Sequence, residues 1–553
     1  MTGRAPPPGA AEAVLRFLAN PRRDPAAILL ALARHPRRSL ALLWARITGK
    51  RLRARQGLAA LVGIDQRLTV PPAIRERALA PAEPFSDSRI LVLTGPGHSL
   101  APGAGEAIRA AFADPRIRAV YGDALVETAP GAPAAPLLRP AFDPDYLAAL
   151  DYVGPVLALR RDAVEPAGID PERGAADALL RLHERFGLGA IGHLPRILSV
   201  WRPWQASERG GEGGQHAMAV RAHLDRTGRA GTAVVAEGEG IARLVHPLPE
   251  PAPLVSLIVP TRDRLDLLRP CIEGLLRTDW PALDLLICDN DSREPETLAY
   301  LRALAARGVA RVVPCPGPFN FAAMNNAAAE AARGHLLVFV NNDVSVRDPG
   351  WLVRMAREAL RPEIGAVGAK LLDGAGRIQH GGIVLGTGGL VTHAYRHFPG
   401  DAPGHLGGLL ATHAVSAVTA ACLAVEARKF AAVGGFDAET FAVDFNDVDL
   451  CLRLNAAGYR TLLVPSAVLL HDEGLSRRWT PEARARHARE VAALKERWGP
   501  LLAQDPHYHP GFDPDLSTNA RLRPDAFAEE GSAEPRLTER GAARPSAPSR
   551  SRT

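Results

Sequence analysis

The chain has 553 residues, of which 47% are hydrophobic and 23% charged, a balance typical of a soluble globular protein with about two to four domains. Its net charge of +6 fits an anionic ligand or an anionic lipid surface, but also an arginine-rich proteome, and we expect no nucleic acid partner. The five cysteines include no Cys-x-x-Cys pair, which argues against a disulfide framework or a zinc site. No apolar run reaches the roughly 18 residues that span a bilayer.

Residues 1–85 are predicted to form short basic helices, in which clustered arginines lie beside leucine, isoleucine and tryptophan. Such a segment could lie on an anionic membrane surface, or its apolar side chains could pack on the rest of the chain. The first residues lack the charged-then-apolar layout of a signal peptide. We therefore expect a cytoplasmic protein, with peripheral contact at the inner face of the cytoplasmic membrane as an open alternative.

The rest of the chain, residues 86–553, divides into four further parts. Residues 86–205 alternate predicted strands and helices and form a first α/β domain. Residues 206–253 are rich in glycine and proline, which indicates a connector, and residues 254–512 form a larger α/β domain. Residues 513–553 are rich in arginine, proline, serine and glutamate, a composition that predicts disorder.

The larger domain shows the most regular alternation. Its predicted strands are 255–259, 283–288, 310–313 and 335–340, and its first helices are 265–277, 295–307 and 321–333. This order predicts an α/β fold with a mostly parallel sheet covered by helices on both faces. A later helix is predicted at 448–457, and another at 481–498 with Thr480 as its N-cap and Gly499 just after its end.

Polar residues follow the predicted strands of this domain. Asn341-Asn342-Asp343 follow the strand 335–340, and Asp289 follows an earlier one. Ligands of open α/β sheets bind outside the carboxyl ends of the strands. The Asp343 carboxylate suits Mg²⁺ or Mn²⁺, which in turn suits a diphosphate, although Asn and Asp are also ordinary turn residues.

Segments of residues 86–205 parallel segments of the larger domain in the same order. The matching pairs are 91–99 with 337–345, 157–159 with 423–425, 168–170 with 435–437, and 177–181 with 449–453. In this alignment Gly97 stands at the position of Asp343, and Ala175 stands at that of Asp447. We predict a duplication in which the first copy is catalytically silent.

Taken together, the motifs of residues 254–480 resemble the inverting family 2 glycosyltransferases, in the rhamnosyltransferase-like branch of bacterial polysaccharide synthesis. The motifs that carry the resemblance are 255–264, Phe319-Asn320-Phe321, Asn341-Asn342-Asp343, 378–382, 421–423 and 445–453. The resemblance implies a GT-A-like nucleotide-diphospho-sugar transferase fold, preceded by a truncated degenerate copy. It also implies transfer of a hexose or deoxyhexose from a UDP- or dTDP-linked donor to a hydroxyl of a growing cell-surface polysaccharide or lipid-linked glycan.

The resemblance also implies roles for single residues. Asp447 would be the general base, Asp343 and His471 would bind Mn²⁺ or Mg²⁺, and Arg477 would stabilise the leaving diphosphate. The residues that would bind the donor are Thr261, Arg264, Asp289, Asn320, Asn325, Asn341 and Asn342. Two further candidates have competing interpretations. Asp449 could act in catalysis or simply pair with Arg453 one helical turn later, and His380 could line an acceptor groove or be a solvated loop residue.

Two other functions stay open. A sugar nucleotidyltransferase would be expected to carry a glycine-rich loop and a lysine after the first strand, where residues 260–264 read Pro-Thr-Arg-Asp-Arg. A non-catalytic carbohydrate-binding or scaffold protein would have lost the site in both copies, whereas the second copy retains Asp343, Asp447 and His471. Both alternatives are therefore less favoured than the transferase.

Overall fold

The computed structural model describes residues 29, 32–34, 36–48, 54, 57–58, 72–80, 82, 84–132, 134–205, 212–238, 240–471, 480–513 and 522–523. The chain forms two compact units. The first holds the described residues up to 246 together with 403–412 and those from 506 onward, and the second holds 247–402 and 413–505. Arg477 and nearly all of the predicted tail lie outside the described residues.

The first unit has one main sheet with helices around it. Its elements are α1 (Pro36–Ile47), α2 (Pro72–Leu79), β1 (Ile90–Leu93), β2 (His98–Leu100), α3 (Ala104–Ala111), β3 (Ala119–Val126), β4 (Ala135–Leu137), α4 (Pro144–Ala149), β5 (Leu157–Arg160), α5 (Arg161–Val164), α6 (Gly174–Phe186), β6 (Ile191–Trp201), α7 (Glu212–Arg226), β7 (Ala233–Gly238) and β8 (Ile241–Val245).

The second unit is built on a larger sheet. Its elements are β9 (Val255–Thr261), α8 (Leu265–Leu275), β10 (Leu283–Asp289), α9 (Pro295–Ala306), β11 (Arg311–Pro314), α10 (Phe321–Ala331), β12 (Leu336–Val340), β13 (Val344–Ser345), α11 (Trp351–Ala359), β14 (Ile364–Leu372), β15 (Ile378–His380), β16 (Ile383–Leu385), β17 (Val391–His393), β18 (His413–Ala414), β19 (Cys422–Glu426), α12 (Ala427–Ala432), α13 (Asn446–Ala456), β20 (Arg460–His471) and α14 (Pro481–Ala503).

The predicted α/β fold of the second unit is confirmed. Its strand order is β11-β10-β9-β12-β19-β14-β20-β13, and all the long strands run in one direction except β19, which is antiparallel to both of its neighbours. Leu336, Val338 and Val340 enter one apolar core, whereas Leu337 and Phe339 enter another. The two faces of β12 are thus both buried, which explains its uninterrupted apolar sequence.

The topology of the first sheet supports the predicted duplication, while the loss of catalytic function in the first copy stays a prediction. The strand order of this sheet is β1-β5-β3-β6-β2 with β4 on β3, and this matches β12-β19-β14-β20-β13 with β15 on β14, pair by pair in direction. Among the described residues of the first unit, no strand corresponds to β9, β10 or β11. The first copy therefore lacks the strand and helix units that open the second.

The units differ from the domain boundaries predicted by sequence. The predicted connector contains α7, whose Val220 and Leu224 pack on Ala148 of the first unit. Residues 403–412 and 506–512 lie within the larger α/β domain predicted from sequence but belong to the first unit. Leu406 O, for example, accepts a hydrogen bond from the Tyr146 hydroxyl at 2.6 Å. Such contacts join residues far apart in the chain, which local sequence pattern does not reveal.

Helix α14 begins as predicted but ends later. Thr480 caps it by accepting a hydrogen bond from the Ala483 N–H at 3.2 Å. The prediction that Gly499 ends the helix is wrong, since α14 continues to Ala503. Trp498 and Leu502 are both buried, and this packing outweighs the weak helix propensity of the intervening Gly and Pro. Within the described part of the chain, no helix combines the length and hydropathy needed to cross a bilayer.

Candidate functional site

The carboxyl ends of β9, β10 and β12 bring three predicted donor-binding residues to one edge of the sheet. Asn342 follows β12 and donates a hydrogen bond from its side-chain nitrogen to the Thr261 hydroxyl at the end of β9, at 3.1 Å. Asp289 is the last residue of β10 and pairs in register with Thr261. The convergence follows from parallel pairing, which aligns strand ends that are distant in sequence.

Asp343 and His471 meet beside this edge. His471 ends β20 and pairs with Val344, the residue after Asp343, so its Nε2 lies 3.2 Å from Asp343 Oδ1. The two side chains are only 6% and 8% exposed. His471 Nδ1 lies 3.2 Å from Gln379 Oε1, so each ring nitrogen of His471 faces an oxygen acceptor, and with the proton on Nδ1 the Nε2 atom would present a lone pair to a cation.

Two buried side-chain oxygens of the segment after β12 have no hydrogen-bond donor. Asp343 Oδ1 and Asn341 Oδ1 are both buried without a hydrogen-bond partner. A buried acceptor left unpaired is unfavourable, and a carboxylate, an amide oxygen and an imidazole nitrogen are all donor atoms for divalent cations. Asp343 and His471 therefore fit a divalent cation such as Mn²⁺ or Mg²⁺, and Asn341 lies two residues before Asp343 in the chain.

Asp447 lies in the first turn of α13, in an environment suited to a base. It lies two residues after Phe445, whose φ of 61° is strained for a residue other than glycine. Its carboxylate accepts hydrogen bonds from the N–H groups of Ala420 at 3.0 Å and Val448 at 2.9 Å. Burial raises the pKa of Asp447 above its ordinary value, and these hydrogen bonds offset the rise only in part.

Asp449 has a different environment, which identifies it as a structural residue. It is fully buried and accepts hydrogen bonds from Arg453 Nε at 2.7 Å, Arg497 Nη1 at 2.8 Å and Trp498 Nε1 at 3.0 Å. Asp177, its counterpart in the first copy, is also buried and accepts from Arg181 Nε at 2.7 Å. This supports the interpretation of Asp449 as a partner of Arg453.

The two copies therefore share one carboxylate, while a second carboxylate is present only in the second copy. Helices α6 and α13 begin at equivalent positions, so Ala175 corresponds to Asp447 while Asp177 corresponds to Asp449. The carboxylate present in both copies holds each fold together, and the one present only in the second copy is the candidate base.

Arg264 lies close to the site, but its guanidinium is turned to a surface partner. It pairs with Asp266 at 2.8 Å, and this hydrogen bond is the main cause of its raised pKa, with a smaller contribution from Asp343. Asp263, Arg264 and Asp291 all have φ between 53° and 58° at the strand ends. Strained backbone of this kind is often found where loops shape a binding site.

The side chains of Asn320 and Asn325 form hydrogen bonds with backbone groups of the second unit. Asn320 caps α10 through the Ala323 N–H at 2.9 Å and donates to Ala438 O at 3.0 Å. Asn325 is fully buried and donates to Phe321 O at 2.8 Å. The structure does not bring either side chain to the cluster formed by Asn342 and Thr261, and their donor-binding role stays a prediction.

His380 is an interior residue, so the alternative of a solvated loop histidine is wrong. It is fully buried, and its Nδ1 lies 2.8 Å from His393 Nδ1. Burial lowers the pKa of both histidines, that of His393 to about 3, with a smaller effect from the nearby His471. His380 is therefore a buried residue that is neutral at ordinary pH.

Sequence reasoning missed a second cluster, in the first unit. Asp123, His193 and His509 are buried, and their potential ligand atoms lie within 4.8 Å of one another. His509 Nδ1 accepts a hydrogen bond from the Gly511 N–H at 2.9 Å, so its Nε2 carries the proton and donates to Asp123 at 2.8 Å. The cluster is thus a hydrogen-bond network that ties the segment from 509 to the first unit, and its proton arrangement disfavours a metal ion.

Comparison with known proteins supports the family expected from the motifs. Residues 256–377 match the family described as glycosyl transferase family 2. The chain is 38% identical over 400 residues to the uncharacterized protein y4gI of Sinorhizobium fredii (strain NBRC 101917 / NGR234), covering 68% of this chain and 43% of that protein. It is 35% identical over 438 residues to the O-antigen biosynthesis protein RfbC of Myxococcus xanthus, covering 75% of this chain and 33% of that protein.

The chain thus spans less than half the length of these two relatives. Among solved structures, the mannosyltransferase PcManGT from Pyrobaculum calidifontis, in complex with GDP-Man and Mn²⁺, aligns with 18% identity and a TM-score of 0.35. That alignment covers 52% of this chain and 78% of the other.

Proposed function

Because residues 256–377 belong to glycosyl transferase family 2, we propose that the second unit transfers a sugar from a nucleotide-diphospho-sugar to a glycan hydroxyl. The observation that carries the proposal is the pair Asp343 and His471, two buried side chains 3.2 Å apart at a strand-end edge that also holds Thr261 and Asn342. The name of the Myxococcus xanthus relative favours a growing cell-surface polysaccharide or its lipid-linked precursor as the acceptor.

The proposed reaction is a single displacement. Asp447 takes the proton of the acceptor hydroxyl while that oxygen forms a bond to the anomeric carbon. The bond between the anomeric carbon and the diphosphate oxygen breaks on the opposite face, so the anomeric configuration inverts. The raised pKa of Asp447 helps, because a base whose pKa is nearer the working pH takes a proton more readily.

The remaining site residues would hold the donor. Asp343 and His471, with Asn341, would bind Mn²⁺ or Mg²⁺, which when bound supplies positive charge to the departing diphosphate. Thr261, Asp289 and Asn342 would contact the nucleotide, for which UDP or dTDP is our expectation. The other predicted donor contacts and the role of Arg477 in charge stabilisation remain part of the proposal.

A thermal-shift experiment tests this function. UDP, dTDP, GDP and CDP are each added with and without Mn²⁺ to the wild type, to Asp343→Ala and to Asp348→Ala. Asp348 is a matched control, since its side chain is 47% exposed and pairs with Arg354 at the surface. A ligand at 100 times its Kd stabilises the native state by about 2.7 kcal/mol.

One nucleotide should stabilise the wild type and Asp348→Ala in the presence of Mn²⁺, and Asp343→Ala should lose that effect. If no nucleotide stabilises the wild type, the second copy is also silent, and a non-catalytic carbohydrate-binding protein becomes the better interpretation.

We also propose that α1 contacts an anionic membrane surface. Leu40, Leu43, Trp44 and Ile47 occupy one face of this helix and are 54% to 73% exposed. The helix contains arginine and no acidic residue, which suits anionic lipid. Retention at the inner face of the cytoplasmic membrane would bring the enzyme to a lipid-linked acceptor.

Vesicle co-sedimentation tests the membrane proposal. The full chain should bind vesicles that contain phosphatidylglycerol more tightly than pure phosphatidylcholine vesicles, and salt should weaken the binding. Trp44→Glu should reduce it, whereas Met218→Glu, which changes a 65% exposed side chain on another helix, should not. Equal binding by both variants would refute a role for α1.

A further inference from the structure

Gln379 lies at an irregular position of the second sheet. In the pairing of β15 with β14, His380 lies opposite Leu371 and Ile378 lies opposite Leu372, so Gln379 is an extra residue at a β-bulge. Bulges redirect a side chain and are frequent beside active sites. Here the side chain is 5% exposed and reaches His471 on β20.

The contact favours one of the two neutral tautomers of His471, in competition with Asp343 at the other ring nitrogen. Gln379 Oε1 is 3.2 Å from His471 Nδ1, and an amide oxygen is an acceptor only. With the proton on Nδ1, Nε2 presents its lone pair 3.2 Å from Asp343 Oδ1, which has no donor of its own. The reverse tautomer would place an N–H between the two side chains and close the gap with a hydrogen bond.

We infer that Gln379 is a positioning residue that keeps His471 in the tautomer able to bind a divalent cation. This inference rests on the proposed function of the second unit. Its chemical basis is general, because the hydrogen bond at one imidazole nitrogen decides the ligand state of the other.

The first copy, which we predict to be catalytically silent, supports the inference. There β3 and β4 pair in regular register, with Ala124 opposite Leu137 and Leu125 opposite Pro136, so no residue corresponds to Gln379. Trp201 stands at the position of His471, because it pairs with the residue after Gly97 as His471 pairs with the residue after Asp343. The bulge, the glutamine, the histidine and the aspartate are thus absent together.

The test uses the full chain without nucleotide. Gln379→Met keeps the volume of the side chain but removes the acceptor, and Gln379→Glu retains an acceptor. Gln504→Leu, at an exposed position, is the matched control. Titration calorimetry gives the Kd for Mn²⁺, and long-range ¹H–¹⁵N spectra of the metal-free protein give the tautomer of His471, whose signal is identified by its loss in His471→Asn.

Gln379→Met should weaken Mn²⁺ binding by about 10- to 100-fold and populate the Nε2–H tautomer of His471. Gln379→Glu should restore both properties, and Gln504→Leu should change neither. An unchanged tautomer in a folded Gln379→Met protein would overturn the inference. If the wild type binds no Mn²⁺, the metal part of the proposed function fails, while the tautomer measurement still decides the role of Gln379.

Discussion

Replacing Asp447 by asparagine removes a proton acceptor while keeping the shape of the side chain. A positioned general base contributes about 10² to 10⁴ in rate, or about 3 to 5 kcal/mol of transition-state stabilisation. Two N–H groups, from Ala420 and Val448, bond to the two oxygens of Asp447, and asparagine has only one such oxygen. The unpaired N–H costs about 1 to 3 kcal/mol, but the variant no longer buries a charge. These effects oppose each other, so stability should change little while activity falls.

The neighbouring Asp449→Asn is the matched control, because the same chemical change should have the opposite outcome. Asp449 accepts from Arg453, Arg497 and Trp498 in the interior. Breaking a buried ion pair by removing one charge costs about 3 to 5 kcal/mol. The unfolding free energy, measured by urea denaturation, should fall by that amount, while the folded fraction keeps its activity.

The pH dependence gives a further check on Asp447. The carboxylate must be ionised to accept a proton, so kcat/KM of the wild type should rise with pH through the pKa of Asp447. Burial places this pKa above the ordinary value of 3.8, and the rise should therefore occur at higher pH than for an exposed aspartate. The assay is release of the nucleoside diphosphate from the donor identified by thermal shift. The reasoning is refuted if Asp447→Asn keeps its activity and this limb of the pH profile.

Two predictions concern stability alone. Lys429 is 1% exposed, pairs with Glu426 at 2.5 Å and donates to two backbone carbonyls. Lys429→Met should therefore lower the unfolding free energy, measured by urea denaturation, by about 3 to 5 kcal/mol. A loss below about 1 kcal/mol would contradict this prediction. Gly435 has a φ of 67°, and a Cβ there would lie 2.8 Å from Asn326 Oδ1, so Gly435→Ala should cost about 1 to 3 kcal/mol. Gly434→Ala, at a φ of 80° with no atom within 4 Å, should cost less by the same measurement.

Much of the fold was determined by local pattern in the sequence. The apolar run before Asn341 predicts β12 because a strand covered on both faces has no polar position to alternate. The same run locates Asp343 at a sheet edge, since parallel strands end together. The duplicated order of motifs also shows that the first copy lacks two carboxylates, because it has Gly97 and Ala175 at the positions of Asp343 and Asp447. This comparison needs only the sequence.

Only the tertiary structure decided the different environments of Asp447 and Asp449. The two residues have the same chemistry and lie two positions apart, yet one accepts from backbone N–H groups at the site and the other from side chains of α13 and α14. Gln379 and His471 are 92 residues apart, and a bulge brings them into contact. Secondary structure follows from neighbours in the chain, whereas burial, charge pairing and tautomer depend on residues that only folding brings together.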